Sequence, residues 1–249
     1  MPTAEEPVRR IVSQVTGWLT LEQAKVLSEL AGRIPDGTHV VEFGSFLGRS
    51  TLCLLAGAPE HVTVYAVDPY TGDEVGPRPG RTADGGRDPE AVHRAFHRNL
   101  ADAGAADRVT HLRMRSADTP DELLRRAGLV FVDGSHRFRD AADDLRRVCA
   151  RLRPGGWLAV HDAFYSVEVT LAIMTVLLRR PDFEYRGRRG SLAVYRRTAT
   201  TPGGPAPRRG HRLRQAAELT TLGAVCARKT WLLTGAAGRG GGIDAHWPH

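Results

Sequence analysis

The run Val40-Val41-Glu42-Phe43-Gly44-Ser45-Phe46-Leu47-Gly48-Arg49-Ser50-Thr51 constrains the fold more than any other part of this chain. A short apolar run ends in an acid, two glycines follow, and a Ser-Thr pair can open a helix. A second apolar run, Val62 to Val67, ends in Asp68. A strand, a glycine turn, a helix and a second acid-tipped strand place a nucleoside-bearing cofactor at the carboxyl ends of parallel strands.

The rest of the chain repeats this alternation. Residues 4 to 33 read as helical, with Thr20-Leu21-Glu22-Gln23 as a capping box and Pro35-Asp36-Gly37 as the break. Strands are predicted at Val40 to Phe43, Val62 to Val67, Val109 to Leu112, Leu129 to Val132 and Trp157 to Val160. Helices are predicted at Ser50 to Ala56, Pro89 to Ala103, from Phe138 to Leu152 and at Ser166 to Leu178. Thr119-Pro120-Asp121-Glu122 reads as a further helix start, with Glu122 closing a box. Phe183 to Tyr185 and Leu192 to Tyr195, joined by Gly187-Arg188-Arg189-Gly190, read as a hairpin. Strictly alternating strands and helices imply an α/β fold with a doubly wound, mostly parallel sheet. The hairpin adds an antiparallel edge.

Three parts are expected: N-terminal helices at 1–34, the α/β domain at 35–197, and a basic tail at 198–249. The tail reads as a linker over 198–210, a helix over His211 to Leu233 and a glycine-rich, disordered end. Residues 69–89, with five glycines and four prolines, form a loop long enough to suggest a functional role.

Hydrophobic residues make up 41% of the 249, enough for a core, and no apolar run approaches the length of a membrane span. Cys53, Cys149 and Cys226 lack metal spacing, so a reduced, cytoplasmic chain is expected. The net charge of +7 raises nucleic acid as a partner. All but two of the basic residues are arginine, which reads as coding bias. Beyond residue 197, seven basic residues face only Glu218 and Asp244, so the excess sits largely in the tail.

Four motifs in order resemble the class I S-adenosylmethionine-dependent methyltransferases, and among them the bacterial enzymes that methylate hydroxyls of sugars and other natural products. They are Glu42-x-Gly44-Ser45-x-x-Gly48-Arg49-Ser50-Thr51, Val67-Asp68-Pro69-Tyr70, Phe131-Val132-Asp133-Gly134-Ser135-His136, and Leu152-Arg153-Pro154-Gly155-Gly156 running through to His161-Asp162. The resemblance spans residues 17 to 196 and implies a seven-stranded, Rossmann-like sheet with S-adenosylmethionine as cofactor. It also implies cofactor contacts at Glu42, Gly44, Ser45, Gly48, Arg49, Ser50, Asp68, Ser116 and Asp133.

Physical roles accompany these positions. Gly44 and Gly48 let the backbone approach the methionine half of the cofactor. Ser50 and the free amides at the helix start can face its carboxylate. Asp68 can accept hydrogen bonds from both ribose hydroxyls, and Ser116, just after the third strand, is placed near the adenine by the resemblance. An ordinary strand-to-helix turn would carry the same glycines, and a turn cap the same Asp68. Gly44-x-x-x-Gly48 lacks the G-x-G-x-x-G spacing of a pyrophosphate site, which disfavours a dinucleotide.

Strands four and five are expected as neighbours, bringing Asp133 and Asp162 together with His136 and His161 nearby. An alcohol is a poor nucleophile until deprotonated; His136, as base, or a divalent ion addresses that. Some members bind magnesium through an acid after the fourth strand and two acids after the fifth. Here those positions are Asp133, His161 and Asp162, and a histidine in place of an oxygen donor suits Mg2+ poorly. The leading expectation is a hydroxylated small-molecule acceptor, with Asp133 and His136 carrying catalysis and a homo-oligomer as a further expectation. A nucleic-acid methylase is the first alternative, although Asn-Pro-Pro-aromatic and Pro-Cys motifs are missing. A non-catalytic cofactor-binding subunit is the second.

Overall fold

The computed structural model describes residues 5–71 and 88–198, together with 215, 217, 218 and 220. Most of the loop at 69–89, and nearly all of the linker, the expected helix over 211–233 and the glycine-rich end, lie outside the described residues.

Two helices open the chain, α1 (Glu5–Gln14) and α2 (Leu21–Ala31), followed by β1 (His39–Phe43) and α3 (Arg49–Gly57). The order continues β2 (Val64–Val67), α4 (Pro89–Asp102), β3 (Val109–Leu112), α5 (Asp121–Arg126) and β4 (Ala127–Val132). It ends α6 (Phe138–Arg151), β5 (Trp157–Val160), α7 (Val167–Val176), β6 (Phe183–Arg189) and β7 (Leu192–Arg197). The seven strands form one sheet in the order β3-β2-β1-β4-β5-β7-β6. β1 to β5 pair in parallel, and β7 and β6 close the edge antiparallel.

Strand alternation divides the core between the two faces of the sheet. Val41, Phe43, Val130, Val132, Leu158 and Val160 pack with Leu145 and Cys149 of α6 and Ile173 of α7. Their neighbours Val40, Leu129, Phe131 and Ala159 pack with Val8, Leu27 and Leu54 of α1, α2 and α3. The N-terminal helices therefore share their apolar core with the sheet. A third cluster, built on Leu52, Ala66, Tyr70 and Phe96, seats α4 beside β2.

The capping box on α2 is complete: Thr20 Oγ1 accepts the Gln23 amide, and Gln23 Oε1 accepts the Thr20 amide. Gln23 Nε2 also donates to Ser191 Oγ at 2.9 Å, fastening α2 to the C-terminal hairpin. The box expected at Thr119 does not form. α5 starts at Asp121 without a side-chain cap, and Thr119 Oγ1 is buried without a partner. The proline takes the cap position here and brings no side-chain acceptor.

The hairpin turn is also shifted. Its strands extend to Arg189 and from Leu192, so Gly190-Ser191 makes the turn. Gly187 lies within β6 at a register irregularity, with φ +121°. A bulge therefore accounts for the glycine that reads as a turn residue in sequence. Of the tail, Gln215 donates to Tyr195 Oη, and Glu218 accepts from Tyr185 Oη and Arg188.

Candidate active site

Register alone assembles the site. Phe43 stands opposite Val67 and Val132, and Val132 opposite Val160. The next residues, Gly44, Asp68, Asp133 and His161, therefore form one row along the carboxyl edge of four adjacent parallel strands. Among the described residues, the four non-glycine residues with positive φ, Phe46, Tyr70, Asp162 and Phe164, all lie in the loops leaving this edge. Such backbone costs free energy and persists where the surroundings enforce it, often at functional sites.

Asp68 organises the glycine loop. Its Oδ2 accepts the amide hydrogens of Ser45 and Phe46, both at 2.9 Å, and its Oδ1 accepts that of Tyr70 at 2.8 Å. The residue is almost fully buried. Both ribose hydroxyls are expected as donors to Asp68; three backbone amides also engage its two oxygens, leaving about one of the carboxylate's four acceptor positions.

Glu42 is fully buried beneath the loop. Burial pushes its carboxyl up to about 8, partly offset by the hydroxyls of Ser50 and Thr51, which hydrogen-bond to it. Ser50 is thereby turned toward Glu42. Oε1 of Glu42 and Oγ of Ser45 are buried without a protein partner. Gly48 starts α3 with φ +86° and no side-chain cap, so the first amides of the helix carry no side-chain acceptor. Acceptors without donors and amides without acceptors match the ammonium and carboxylate of an amino-acid-bearing cofactor.

Arg49 bonds the N-terminal segment: its Nε donates to Val15 O at 2.6 Å and its Nη1 to Leu19 O at 2.9 Å. It anchors the turn between α1 and α2 through these two donors. Gly44 has φ +85°, and a Cβ there would lie 2.2 Å from the backbone oxygen of Asp133. At Gly48 a Cβ would meet the Phe96 ring at 3.2 Å. Close approach of β4 and α4 requires these glycines before any ligand is considered. Ser116 lies in a short turn after β3, its hydroxyl bonded to the buried Asp144 of α6.

The second half of the row is a coupled quartet. His161 Nδ1 lies 3.1 Å from Asp133 Oδ1 and 3.8 Å from Asp162 Oδ1. His136 Nε2 lies 3.1 Å from Asp162 Oδ2 and 4.0 Å from Asp133 Oδ1. Burial alone would raise Asp133, but the two histidines outweigh it and hold the carboxyl at about 2. Burial would depress His161; Asp133 overrides this and raises it to about 9. His136 is raised by the same balance. A pocket lined by Val132, Asp133, Ser135, His136, His161 and Val169 opens beside these groups.

The histidine that joins Asp133 and Asp162 as a three-atom donor set is His136, not His161. His161 is buried behind Asp133, with Nε2 unpartnered. Two carboxylates and an imidazole converging this closely fit a divalent ion. Sequence reasoning missed Glu168, which accepts the amide of Phe138 at 2.6 Å and so caps α6 from α7. No local pattern announces a cap from another helix. It also missed Asp144, an acid buried on a face that reads as amphipathic.

Among the described residues no helix is long and apolar enough to cross a membrane. Residues 41–163 match the family model described as a methyltransferase domain. Solved structures share the fold. A protein from Corynebacterium glutamicum is similar with TM-score 0.57 and 16% identity over 81% of this chain and 93% of that one. The O-methyltransferase TomG from Streptomyces achromogenes, involved in tomaymycin synthesis and solved with S-adenosylmethionine, gives 0.53 and 16% over 80% and 91%. A putative rRNA-methylase from Clostridium thermocellum gives 0.52 and 15% over 75% and 100%. The matched segment runs from β1 through the Asp133–His161 row, and the described residues carry the fold of a methyltransferase domain.

Proposed function

We propose that this enzyme methylates a hydroxyl group of a small molecule, with His136 as the general base. The observation that carries the reading is the position of His136 Nε2, 3.1 Å from Asp162 and beside the pocket between the ends of β4 and β5. When bound, S-adenosylmethionine supplies the methyl group on its sulfonium. Neutral His136 accepts the proton of the acceptor hydroxyl as the oxygen bonds to the methyl carbon and the carbon–sulfur bond breaks. Asp162 and Asp133 then stabilise the imidazolium that forms. His161, charged beside Asp133, keeps that carboxylate ionised.

Gly44, Ser45, Gly48 and Ser50 form the cofactor's loop, with Glu42 below it and Asp68 fixing its shape; Ser116 sits at the adenine side. Arg49 contributes through the N-terminal turn it anchors. If a divalent ion is used, Asp133, His136 and Asp162 would hold it, and it would polarise the hydroxyl in place of the base.

Fold likeness does not choose the acceptor, because TomG and the rRNA-methylase resemble this chain equally well. TomG is an O-methyltransferase of natural-product synthesis, and the row of acids and histidines here suits hydroxyl activation. The test is a screen of hydroxylated metabolites and of RNA with labelled cofactor. Methylation of small hydroxylated compounds, lost in His136→Ala, supports the reading. Methylation confined to RNA would overturn it.

A further inference from the structure

A second cluster lies on the far side of Asp68. α4 carries His93 and His97 four residues apart, so both rings leave one face of the helix, and β3 offers His111 beside them. His93 Nε2 is 3.1 Å from His97 Nε2 and 3.4 Å from His111 Nδ1. One ring nitrogen from each histidine lies within 4.8 Å of the other two.

Hydrogen bonds do not account for this arrangement. An imidazole nitrogen carries either one hydrogen or one lone pair. His93 Nε2 therefore cannot donate to one neighbour while accepting from the other. A cation shared by three lone pairs meets the need. At a metal–nitrogen distance of about 2.0–2.1 Å, tetrahedral ligands stand about 3.3 Å apart. Both measured contacts fall close to that separation.

We propose that His93, His97 and His111 bind a divalent transition ion of the zinc type, in a site that pins α4 to β3 behind the Asp68–Tyr70 corner. Three imidazoles with no oxygen donor among them select zinc, nickel, cobalt or copper over magnesium or calcium. Glu90 Oε2 lies 3.8 Å from His93 Nδ1, on the opposite edge of the ring from the cluster, where a carboxylate orients a ligating imidazole. Glu90 is itself paired with Arg113. His97 is exposed, so water can reach a fourth position.

The site connects to the cofactor loop through Tyr70. Its ring packs 5.0 Å from His93 and 5.4 Å from His111, its amide bonds Asp68, and its hydroxyl donates to Phe46 O. A bound ion would stiffen that wall from behind and take no part in methyl transfer. The inference is independent of the acceptor and of the base.

The experiment is a calorimetric titration of zinc(II) into the chelator-stripped full chain. It uses the His136→Ala background, so that Asp133 and Asp162 offer no second three-donor set. One equivalent should bind. Adding His97→Ala, at an exposed helix position, should weaken binding by about 100-fold or more. Cobalt(II) should give the intense visible absorption of a four-coordinate ion in the parent and lose it in His97→Ala. No saturable binding, or binding indifferent to His97→Ala, overturns the proposal.

Discussion

His161 Nδ1 lies 3.1 Å from Asp133 Oδ1, joining the carboxyl end of β5 to that of β4. The pair is coupled in both directions: Asp133 is held at about 2 and His161 raised from 6.5 to about 9. Its contribution to stability is complete where both groups would be charged without help, above about pH 4 and below 6.5. The raised histidine then loses its contribution as pH rises through about 9. The melting temperature should fall across that alkaline window. His161→Gln, which keeps a neutral donor, should flatten the fall while lowering stability near pH 6. An unchanged pH profile in the variant would show that the pair contributes little.

Asp68 is the second test. Three backbone amides converge on it, and hydrogen bonds to an ionised acceptor contribute about 1.5–3 kcal/mol each. Asp68→Ala leaves those amides without their acceptor and frees the loop from Ser45 to Phe46. The expected outcome is destabilisation of about 2–4 kcal/mol with at least a tenfold loss of S-adenosylhomocysteine affinity. Denaturant melts and calorimetric titration measure the two. Loss of affinity without loss of stability would instead place the ligand directly on the carboxylate.

These two residues also mark how far the sequence could be read. The row Gly44, Asp68, Asp133, His161 was legible because each residue ends an apolar run, and parallel strands in register align their ends. The helix cap at Thr20 was legible for a similar reason, since cap and partner lie three residues apart. The partners of Asp68 were not, nor was the direction of Arg49. Ser45 and Phe46 reach Asp68 from 23 and 22 residues away, and Arg49 meets Val15 and Leu19 from 34 and 30 residues away. Glycine spacing identified the loop at 44–48, but not the Asp133 backbone and the Phe96 ring that crowd Gly44 and Gly48. The pairing of β3 with β2 brings His111 beside the two histidines of α4, a contact that no local pattern announces.

Glu42 offers a pH test free of catalysis. Its carboxyl is raised from 4.5 to about 8, chiefly by burial. Between those values the folded state holds a proton that the unfolded state has released, so stability declines as pH rises from about 4.5 to 8. Glu42→Gln keeps a neutral side chain that can still accept from Thr51, and should remove this slope. Melts at several pH values distinguish it from the His161 contribution, which is lost mainly above pH 6.5. Retention of the full slope in Glu42→Gln would assign it elsewhere. The same variant should bind S-adenosylmethionine more weakly at alkaline pH, where Glu42 would otherwise be charged opposite the ligand's ammonium.

His136 decides the chemistry. Burial would lower it, but Asp133 and Asp162 outweigh burial and raise it above the ordinary 6.5. A base must be neutral to accept a proton, so turnover should climb with pH through a midpoint above 6.5 and level off on the alkaline side. Removing the neighbouring negative charge with Asp162→Asn should move that midpoint to lower pH. His136→Ala should reduce kcat by about 10²–10⁴-fold while S-adenosylhomocysteine affinity stays within a few-fold. An ion held by Asp133, His136 and Asp162 would also make turnover depend on His136, and chelation separates the two mechanisms. Activity that survives exhaustive chelation, with the ascending pH limb intact, identifies the imidazole as the base. Activity that falls with chelator and returns with added magnesium or manganese, with the His93–His97–His111 cluster already disabled by His97→Ala, identifies the ion instead.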